Sequence, residues 1–300
     1  MTIKRFIGML ILTVILFSFA GCDTTKDNTT FILESEDDDL VFIHHSCGEN
    51  WLNNSLHNAL LAKDYIDERN NITYGTSIKA DVGRLASLGV TPGDHTDMHD
   101  WIRWFNDYLV RILSHDTEDG ENRIVMFKSC YPNNAITGVG TEDNPFSTEK
   151  TLRNYKAVFA YPEGVSLYDQ CGTKYKALEQ VFAENPNTLF IFVTAPPQCW
   201  ADADASQAAN ARRFYNWLKN DWLNTYNDEN PGLDNVAIFD WFDFLAYPDD
   251  HIAHPNMLKQ EYGGDSGDSH PNALANNQST QLFASGAGNK LDEYWNKFTQ

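Results

Sequence analysis

The stretch "VFIHHSCGENW", residues 41–51, begins as an apolar run and ends in small and polar residues. Such a run indicates a buried β-strand, and apolar residues at helical spacing over positions 51–62 indicate a helix after it. Ser46 lies at the changeover, just past the end of the predicted strand. A serine at this place either caps the following helix or serves as a nucleophile at the mouth of a sheet.

The order of strand and helix repeats along the rest of the chain. Further buried strands are predicted at "NITYG" (residues 71–75), "RIVMFK" (123–128), "TLFIFVTA" (188–195) and "VAIFD" (236–240). Helices are predicted at residues 98–113, 174–183 and 206–226, and after position 270. Alternation of continuous apolar strands with helices is typical of a parallel sheet covered by helices on both faces. The sequence therefore predicts an α/β fold.

The N-terminus carries the features of an export signal. Two basic residues precede a long apolar run, whose length suits a signal peptide. The run ends in "FAGC", which resembles a bacterial lipoprotein cleavage site and implies acylation of Cys22 after cleavage. We therefore expect a lipoprotein signal peptide at 1–21, a flexible acidic tether at 22–39 and a folded domain at 40–300. The alternative is an uncleaved N-terminal anchor. In both cases the domain is extracytoplasmic and attached to a bacterial membrane.

The composition bounds the class of partner. Acidic residues outnumber basic ones by 42 to 22, and the formal net charge of the 300-residue chain is -20. An acidic surface repels phosphate backbones, so we expect no nucleic acid partner. Apart from Cys22 the chain has four cysteines, and an even number in an oxidising compartment indicates disulfides. Four cysteines allow three connectivities, and the sequence alone does not choose among them.

Polar and small residues follow several of the predicted strands at the point where each strand ends. Ser46 follows the first strand, Gly75 ends the second, and "SCYPNN" with Asn133 and Asn134 follows the third. After the last strand and a long loop comes "GDSGDSHPNALAN", which contains His270 and two aspartates before it. Sites in open α/β sheets form at the carboxyl ends of the strands, so these residues make up the candidate site.

Taken in order, the blocks "HHSCGENW", "ITYG", "FKSCYPNN" and "GDSHPN" resemble those of the SGNH (GDSL-like) hydrolase superfamily. The resemblance extends over nearly the whole predicted domain. It implies the SGNH hydrolase fold, a three-layer sandwich with a central parallel five-stranded sheet in the flavodoxin-like order 2-1-3-4-5. It also implies a serine esterase that forms an acyl-enzyme. The chain departs from the family pattern at His44 and His45, where Gly-Asp is usual, and at Gly267, where the family places its acid.

The resemblance assigns a role to each residue of the candidate site. Ser46 is the expected nucleophile and His270 the expected base, because a serine hydroxyl needs a group that takes its proton. A carboxylate on the other ring nitrogen fixes the tautomer of the base; we choose Asp268, with Asp265 as the alternative. The oxyanion hole is expected to comprise the backbone N–H near the serine, Gly75 and Asn133, with Asn134, Gly83 and Gly93 as competing choices.

Disulfides and metal binding complete the expectations for the site. In the family's strand order the first and third strands are neighbours, so we expect a Cys47–Cys130 disulfide, with Cys171–Cys199 as the second pair. The loop "GDHTDMHDW" offers His95, Asp97 and His99 as metal ligands. Such clusters are more often polar loops, and the family needs no metal, so we expect neither a metal nor a cofactor.

The expected substrate is a carboxylic ester, with an acetyl group on a glycan as one candidate. Exposed aromatic residues stack on sugars, and Trp51, Trp101 and Trp200 are considered for that role. Two other functions are left open: an O-acyltransferase acting on a cell-surface polymer, and a non-catalytic glycan-binding surface lipoprotein. We expect a monomer whose partners are the ester substrate and, through the lipid anchor, a membrane.

Overall fold

A computed structural model of the chain describes residues 39–66, 71–74, 96–114, 121–161 and 167–300. The predicted signal peptide, Cys22 and the predicted tether up to residue 38 lie outside the described residues. Within the described part of the chain, no helix combines the length and the apolar character that crossing a membrane requires.

The described strands form a parallel sheet covered by helices, as predicted. Four largely buried strands make up its core, and a short strand pairs with the first of them at the edge. In chain order the strands are β1 (Asp39–His44), the edge strand β2 (Asn71–Tyr74), β3 (Asn122–Phe127), β4 (Leu189–Val193) and β5 (Val236–Phe239). The order across the sheet is β2-β1-β3-β4-β5, and all neighbouring pairs are parallel. The strand order reverses at β1, so its carboxyl end is the place where such sheets form a binding crevice.

Helices pack on both faces of this sheet. Alternate strand residues point to opposite faces, so β1 sends Val41 into one hydrophobic core and Phe42 into the other. In chain order the helices are α1 (Ser46–Trp51), α2 (His57–Leu61), α3 (Trp101–Asp107), α4 (Leu109–Leu113), α5 (Leu152–Phe159), α6 (Leu178–Ala183), α7 (Ala205–Trp217), α8 (Leu223–Glu229), α9 (Trp241–Leu245), α10 (Ala273–Thr280) and α11 (Lys290–Phe298). Helices α3 to α8 share the core with Val41, and the others share the core with Phe42.

Three of the predicted helices are interrupted: the stretch 51–62 leaves helical geometry at Ser55, and the other two breaks lie farther along the chain. The stretch 98–113 is a short 3₁₀ turn followed by α3 and α4, which are separated at Tyr108, where the backbone leaves helical geometry. The stretch 174–183 begins as a strand of a small antiparallel hairpin and becomes helical only in α6. Both stretches still bury apolar side chains against the sheet, so the fold class does not depend on these breaks.

Trp51 and Trp101 are fully buried, in opposite cores. The indole N–H of Trp51 donates to Thr280 Oγ1 at 2.9 Å, and that of Trp101 donates to Ser129 Oγ at 2.9 Å. Buried indoles whose N–H groups are satisfied serve the core. The prediction that these two residues stack on a sugar is therefore wrong, whereas Trp200 is only half-buried.

Candidate active site

A sharp turn between β1 and α1 places Ser46 at the carboxyl edge of the sheet. The strand ends at His44, His45 takes an extended backbone as the cap residue, and the helix begins at Ser46. A Cβ atom at Gly48 would lie 2.5 Å from the Cβ of His44. Only glycine therefore allows the first turn of α1 to pass this close to the end of the strand.

Packing of α10 against the helices that follow β1 brings His270 to the serine. Trp51 and Ser55 both donate hydrogen bonds of 2.9 Å to Thr280 Oγ1 on α10. His270 lies just before this helix and is 27% exposed. Its Nε2 atom is 2.9 Å from Ser46 Oγ, although the two residues are 224 positions apart in the chain.

Asp268 is the carboxylate that contacts the histidine ring. Its Oδ1 atom lies 2.6 Å from His270 Nδ1 and also accepts the backbone N–H of His270 at 3.0 Å. These two hydrogen bonds hold the pKa of Asp268 below its usual value. Asp265 instead accepts a hydrogen bond from Gln260 Nε2 at 2.9 Å. The structure thus brings Ser46, His270 and Asp268 together and places the alternative acid elsewhere.

The loop after β4 fixes the segment that carries this pair. Ser269, which lies between Asp268 and His270 in the chain, is fully buried. Its Oγ accepts the backbone N–H of Cys199 at 2.9 Å and donates to Asp202 Oδ2 at 2.7 Å. The backbone N–H of Trp200 donates to the carbonyl of Gly264 at 2.9 Å. Because Ser269 stands between Asp268 and His270 in the chain, these bonds orient both side chains.

Two further side chains contact the serine oxygen, and the sequence analysis assigns a role in the reaction to neither. His45 Nδ1 lies 3.0 Å from Ser46 Oγ, and Cys130 Sγ lies 3.6 Å from it. The ring of Tyr131 meets the ring of His270 edge-on, with centroids 5.3 Å apart. In the sequence His45 is only a departure from the family pattern, because the turn that directs its ring at the serine could not be predicted.

The four cysteines of the described domain are thiols, so the predicted disulfides are not present in the structure. The sulfur atoms of Cys47 and Cys130 are 3.2 Å apart, a hydrogen-bond distance rather than the ~2.05 Å of a disulfide. Cys171 is exposed and Cys199 is buried, and both are unpaired. The predicted Cys47–Cys130 and Cys171–Cys199 disulfides are therefore wrong, although Cys47 and Cys130 do lie next to each other.

The two neighbouring thiols differ in acidity. The pKa of Cys130 is held well below its usual value, chiefly by its hydrogen bond with Cys47, with Lys128 and His45 acting in the same direction. The pKa of Cys47 is raised, chiefly by its complete burial. Cys130 is therefore the more acidic thiol of the two.

The two asparagines after β3 are both buried and both take part in hydrogen bonds. Asn134 uses both amide hydrogens on the carbonyls of residues 195 and 196, which leaves none for an oxyanion. Asn133 donates to Asp97 Oδ1 at 2.6 Å and accepts the backbone N–H of Met98 at 3.0 Å. Asn133 as an oxyanion donor stays a prediction. Gly75, Gly83 and Gly93 lie outside the described residues.

The predicted metal ligands do not gather into a cluster among the described residues. His95 lies outside them, Asp97 accepts the amide of Asn133, and His99 Nε2 lies 3.5 Å from Asp100 Oδ1. Within the described part of the chain, there is no group of three or more His, Cys, Asp or Glu residues that could hold a metal ion.

Comparison with known proteins adds little to this geometry. The sequence matches no family model and no curated protein. A solved structure from Bacteroides fragilis NCTC 9343, provisionally described as an acylhydrolase, is 14% identical in sequence with a TM-score of 0.43; the match covers 89% of this chain and 92% of that one. The site itself is the evidence for function: a serine, a histidine and an aspartate at the carboxyl edge of a parallel α/β sheet.

Proposed function

We propose that the protein is a serine hydrolase of the SGNH type that cleaves carboxylic esters through an acyl-enzyme. The observation that carries this proposal is the 2.9 Å distance between Ser46 Oγ and His270 Nε2. Asp268 on the other ring nitrogen supplies the orienting carboxylate that a serine nucleophile needs. A capping role for Ser46 has no support, because His45 occupies the cap position of α1 and no side chain caps that helix.

In the acylation step, His270 Nε2 takes the hydroxyl proton as Ser46 Oγ forms a bond to the ester carbon, and the carbonyl π electrons move to oxygen. Asp268 keeps the Nδ1 proton of the ring on its own side and stabilises the imidazolium that forms. The tetrahedral intermediate then collapses: its bond to the alcohol breaks, and the alcohol leaves with the proton from His270.

In the deacylation step, a water molecule gives its proton to His270 Nε2 and attacks the acyl carbon. The second tetrahedral intermediate breaks its bond to Ser46 Oγ, which recovers its proton from His270. The products are an alcohol and a carboxylic acid. Both intermediates carry a negative oxygen, and the proposed donors are the backbone N–H near Ser46, Asn133 and Gly75.

The SGNH assignment is supported by the order of the residues along the chain and across the sheet. The serine follows β1, the asparagine follows β3, and the histidine precedes the helix α10, which packs beside α1. The acid stands two places before the histidine instead of the family's three. With this shorter spacing Asp268 Oδ1 still reaches both the backbone N–H and the ring Nδ1 of His270.

The exposure of the site supports a substrate whose alcohol part is bulky, such as a glycan that carries an acyl ester. The side chain of His270 is 27% exposed and that of Asp268 is 64% exposed, so the reacting groups lie at the surface. A small acyl group on a polymer can reach such a site without the polymer entering a closed cavity. We extend the proposal to an acetyl ester of a glycan and to a lipid-anchored, extracytoplasmic location through Cys22.

The test compares wild-type protein with Ser46→Ala on p-nitrophenyl acetate and on an acetylated glycan. We expect a loss of at least about 10³-fold in the variant, because removal of a triad member leaves only the residual catalysis of the remaining site. A fluorophosphonate probe should label Ser46 in wild type, as mapped by mass spectrometry. Full activity in folded Ser46→Ala would overturn the proposal and favour a non-catalytic protein. Transfer of the acyl group to a glycan hydroxyl rather than to water would favour the acyltransferase.

A further inference from the structure

The oxygen of Ser46 has two imidazole neighbours, and the proposed mechanism uses only one of them. His270 Nε2 lies at 2.9 Å and His45 Nδ1 lies at 3.0 Å. A hydroxyl has one hydrogen to donate and lone pairs to accept. The two contacts therefore cannot both be hydrogen bonds donated by the serine.

The proton positions follow from the partners of each ring. Asp268 is a carboxylate, which only accepts, so His270 Nδ1 carries the proton of the 2.6 Å contact. In neutral His270 the Nε2 atom is then the acceptor, and the serine hydrogen points at it. Because the serine hydrogen is used in this way, a hydrogen bond between Ser46 Oγ and His45 Nδ1 requires the histidine to be the donor. His45 must therefore carry its proton on Nδ1 and direct it at a lone pair of Ser46 Oγ.

The backbone holds His45 in this position. Its carbonyl oxygen accepts the backbone N–H of Gly48 at 2.6 Å, and His44 Nδ1 lies 3.3 Å from the same oxygen. The residue has an extended backbone at the cap position of α1, directly before Ser46. Its ring also interacts with Cys130 and lowers the pKa of that thiol.

We propose that His45 is a further catalytic residue, whose Nδ1–H donates a hydrogen bond to Ser46 Oγ during acyl transfer. The inference rests on the proposed hydrolase function and deepens it. As the hydroxyl proton moves to His270, negative charge develops on Oγ until the bond to the acyl carbon is complete. The same charge returns when that bond breaks in deacylation. A fixed donor beside Oγ stabilises the charge in both steps, while His270 carries out the proton transfer.

A matched pair of substitutions separates donation from shape. Leucine and asparagine have the same branched outline, but only asparagine places an N–H near the position of Nδ1. We expect His45→Leu to lower kcat for p-nitrophenyl acetate by about 10- to 100-fold with little change in KM, below the loss for an oxyanion-hole donor. His45→Asn should recover at least about tenfold of that loss. Equal activity in the two variants, at equal melting temperature, would overturn the inference.

A spectroscopic measurement tests the proton itself and does not depend on turnover. The ¹⁵N chemical shift of Nδ1 in histidine-labelled protein distinguishes a nitrogen that bears hydrogen from one that bears a lone pair. We expect His45 Nδ1 to be protonated in the folded wild-type protein, with a shift that changes in Ser46→Ala. A lone pair on Nδ1 would refute the inference even if Ser46 proves to be the nucleophile. An active Ser46→Ala variant would instead refute the hydrolase proposal, so the two failures are distinguishable.

Discussion

Acidification should destabilise the fold through His44, the residue that ends β1 beneath the candidate site. His44 is 2% exposed. Its pKa is lowered from 6.5 to about 3, chiefly by burial, with the positive charge of Lys128 acting next and His45 adding to it. A hydrogen bond to the backbone of His45 and the charge of Cys130 act in the opposite direction but are outweighed. The folded protein therefore keeps this ring neutral at pH values where the unfolded chain protonates it.

The magnitude follows from the difference in protons bound by the two states. Between pH 6.5 and about 3 the unfolded state binds more protons at His44 than the folded state, so the free energy of unfolding falls as the pH falls. The slope approaches about 1.4 kcal/mol per pH unit. From pH 7 to pH 4 this one residue should remove about 3 kcal/mol, a large share of the ~5–15 kcal/mol that stabilises a typical protein.

Urea unfolding of wild type and His44→Asn across that pH range isolates the contribution. Asparagine keeps a donor near Nδ1, which faces the carbonyl oxygen of His45 at 3.3 Å, but it does not titrate. The variant loses packing at every pH, so its deficit relative to wild type should shrink by about 3 kcal/mol between pH 7 and pH 4. His57→Asn, on the exposed side of α2, is the control and should parallel wild type. A deficit that is the same at every pH would refute the reasoning.

One other prediction concerns the acid of the site. Asp268→Asn should lower kcat by about 10²-fold, less than the ~10⁴-fold of a buried triad aspartate because water screens this exposed carboxylate, whereas Asp265→Asn should stay within about twofold of wild type. A larger loss of kcat in Asp265→Asn than in Asp268→Asn would show that Asp265, and not Asp268, is the acid that orients His270.

The fold could be predicted because its strands are buried on both faces. The segments β1, β3 and β4 are continuous apolar runs, and a strand of a sheet covered on both faces buries all of these side chains at once. The breaks in the helices could not be predicted in the same way. The interruption at Tyr108 does not alter which side chains reach the core, so the helical spacing of apolar residues continues across it.

The members of the candidate site differ in how far the sequence defines them. Ser46 and His270 follow from the order of the blocks, since helix packing over a parallel sheet brings strand ends together. The choice of Asp268 depended on a local turn, in which Gly267 takes a positive φ of 78° and Ser266 Oγ accepts the backbone N–H of Asp268 at 3.1 Å. The backbone angles of this turn decide whether Asp265 or Asp268 reaches the ring of His270, and the spacing of residues in the sequence does not specify these angles.

Charge beneath the serine connects several of these observations. Lys128 is fully buried, and its Nζ has no hydrogen-bond partner among the described residues, although it lies 5.6 Å from the centre of the Trp241 ring. A buried cation is costly unless an opposite charge lies near it. The positive charge of Lys128 lowers the pKa values of both His44 and Cys130. Cys130 Sγ lies 3.6 Å from Ser46 Oγ, and a negative charge on this sulfur opposes negative charge on the nucleophile. A donor on the other side of that oxygen is therefore needed more here than in a site without the sulfur, and His45 is the residue in place to supply it.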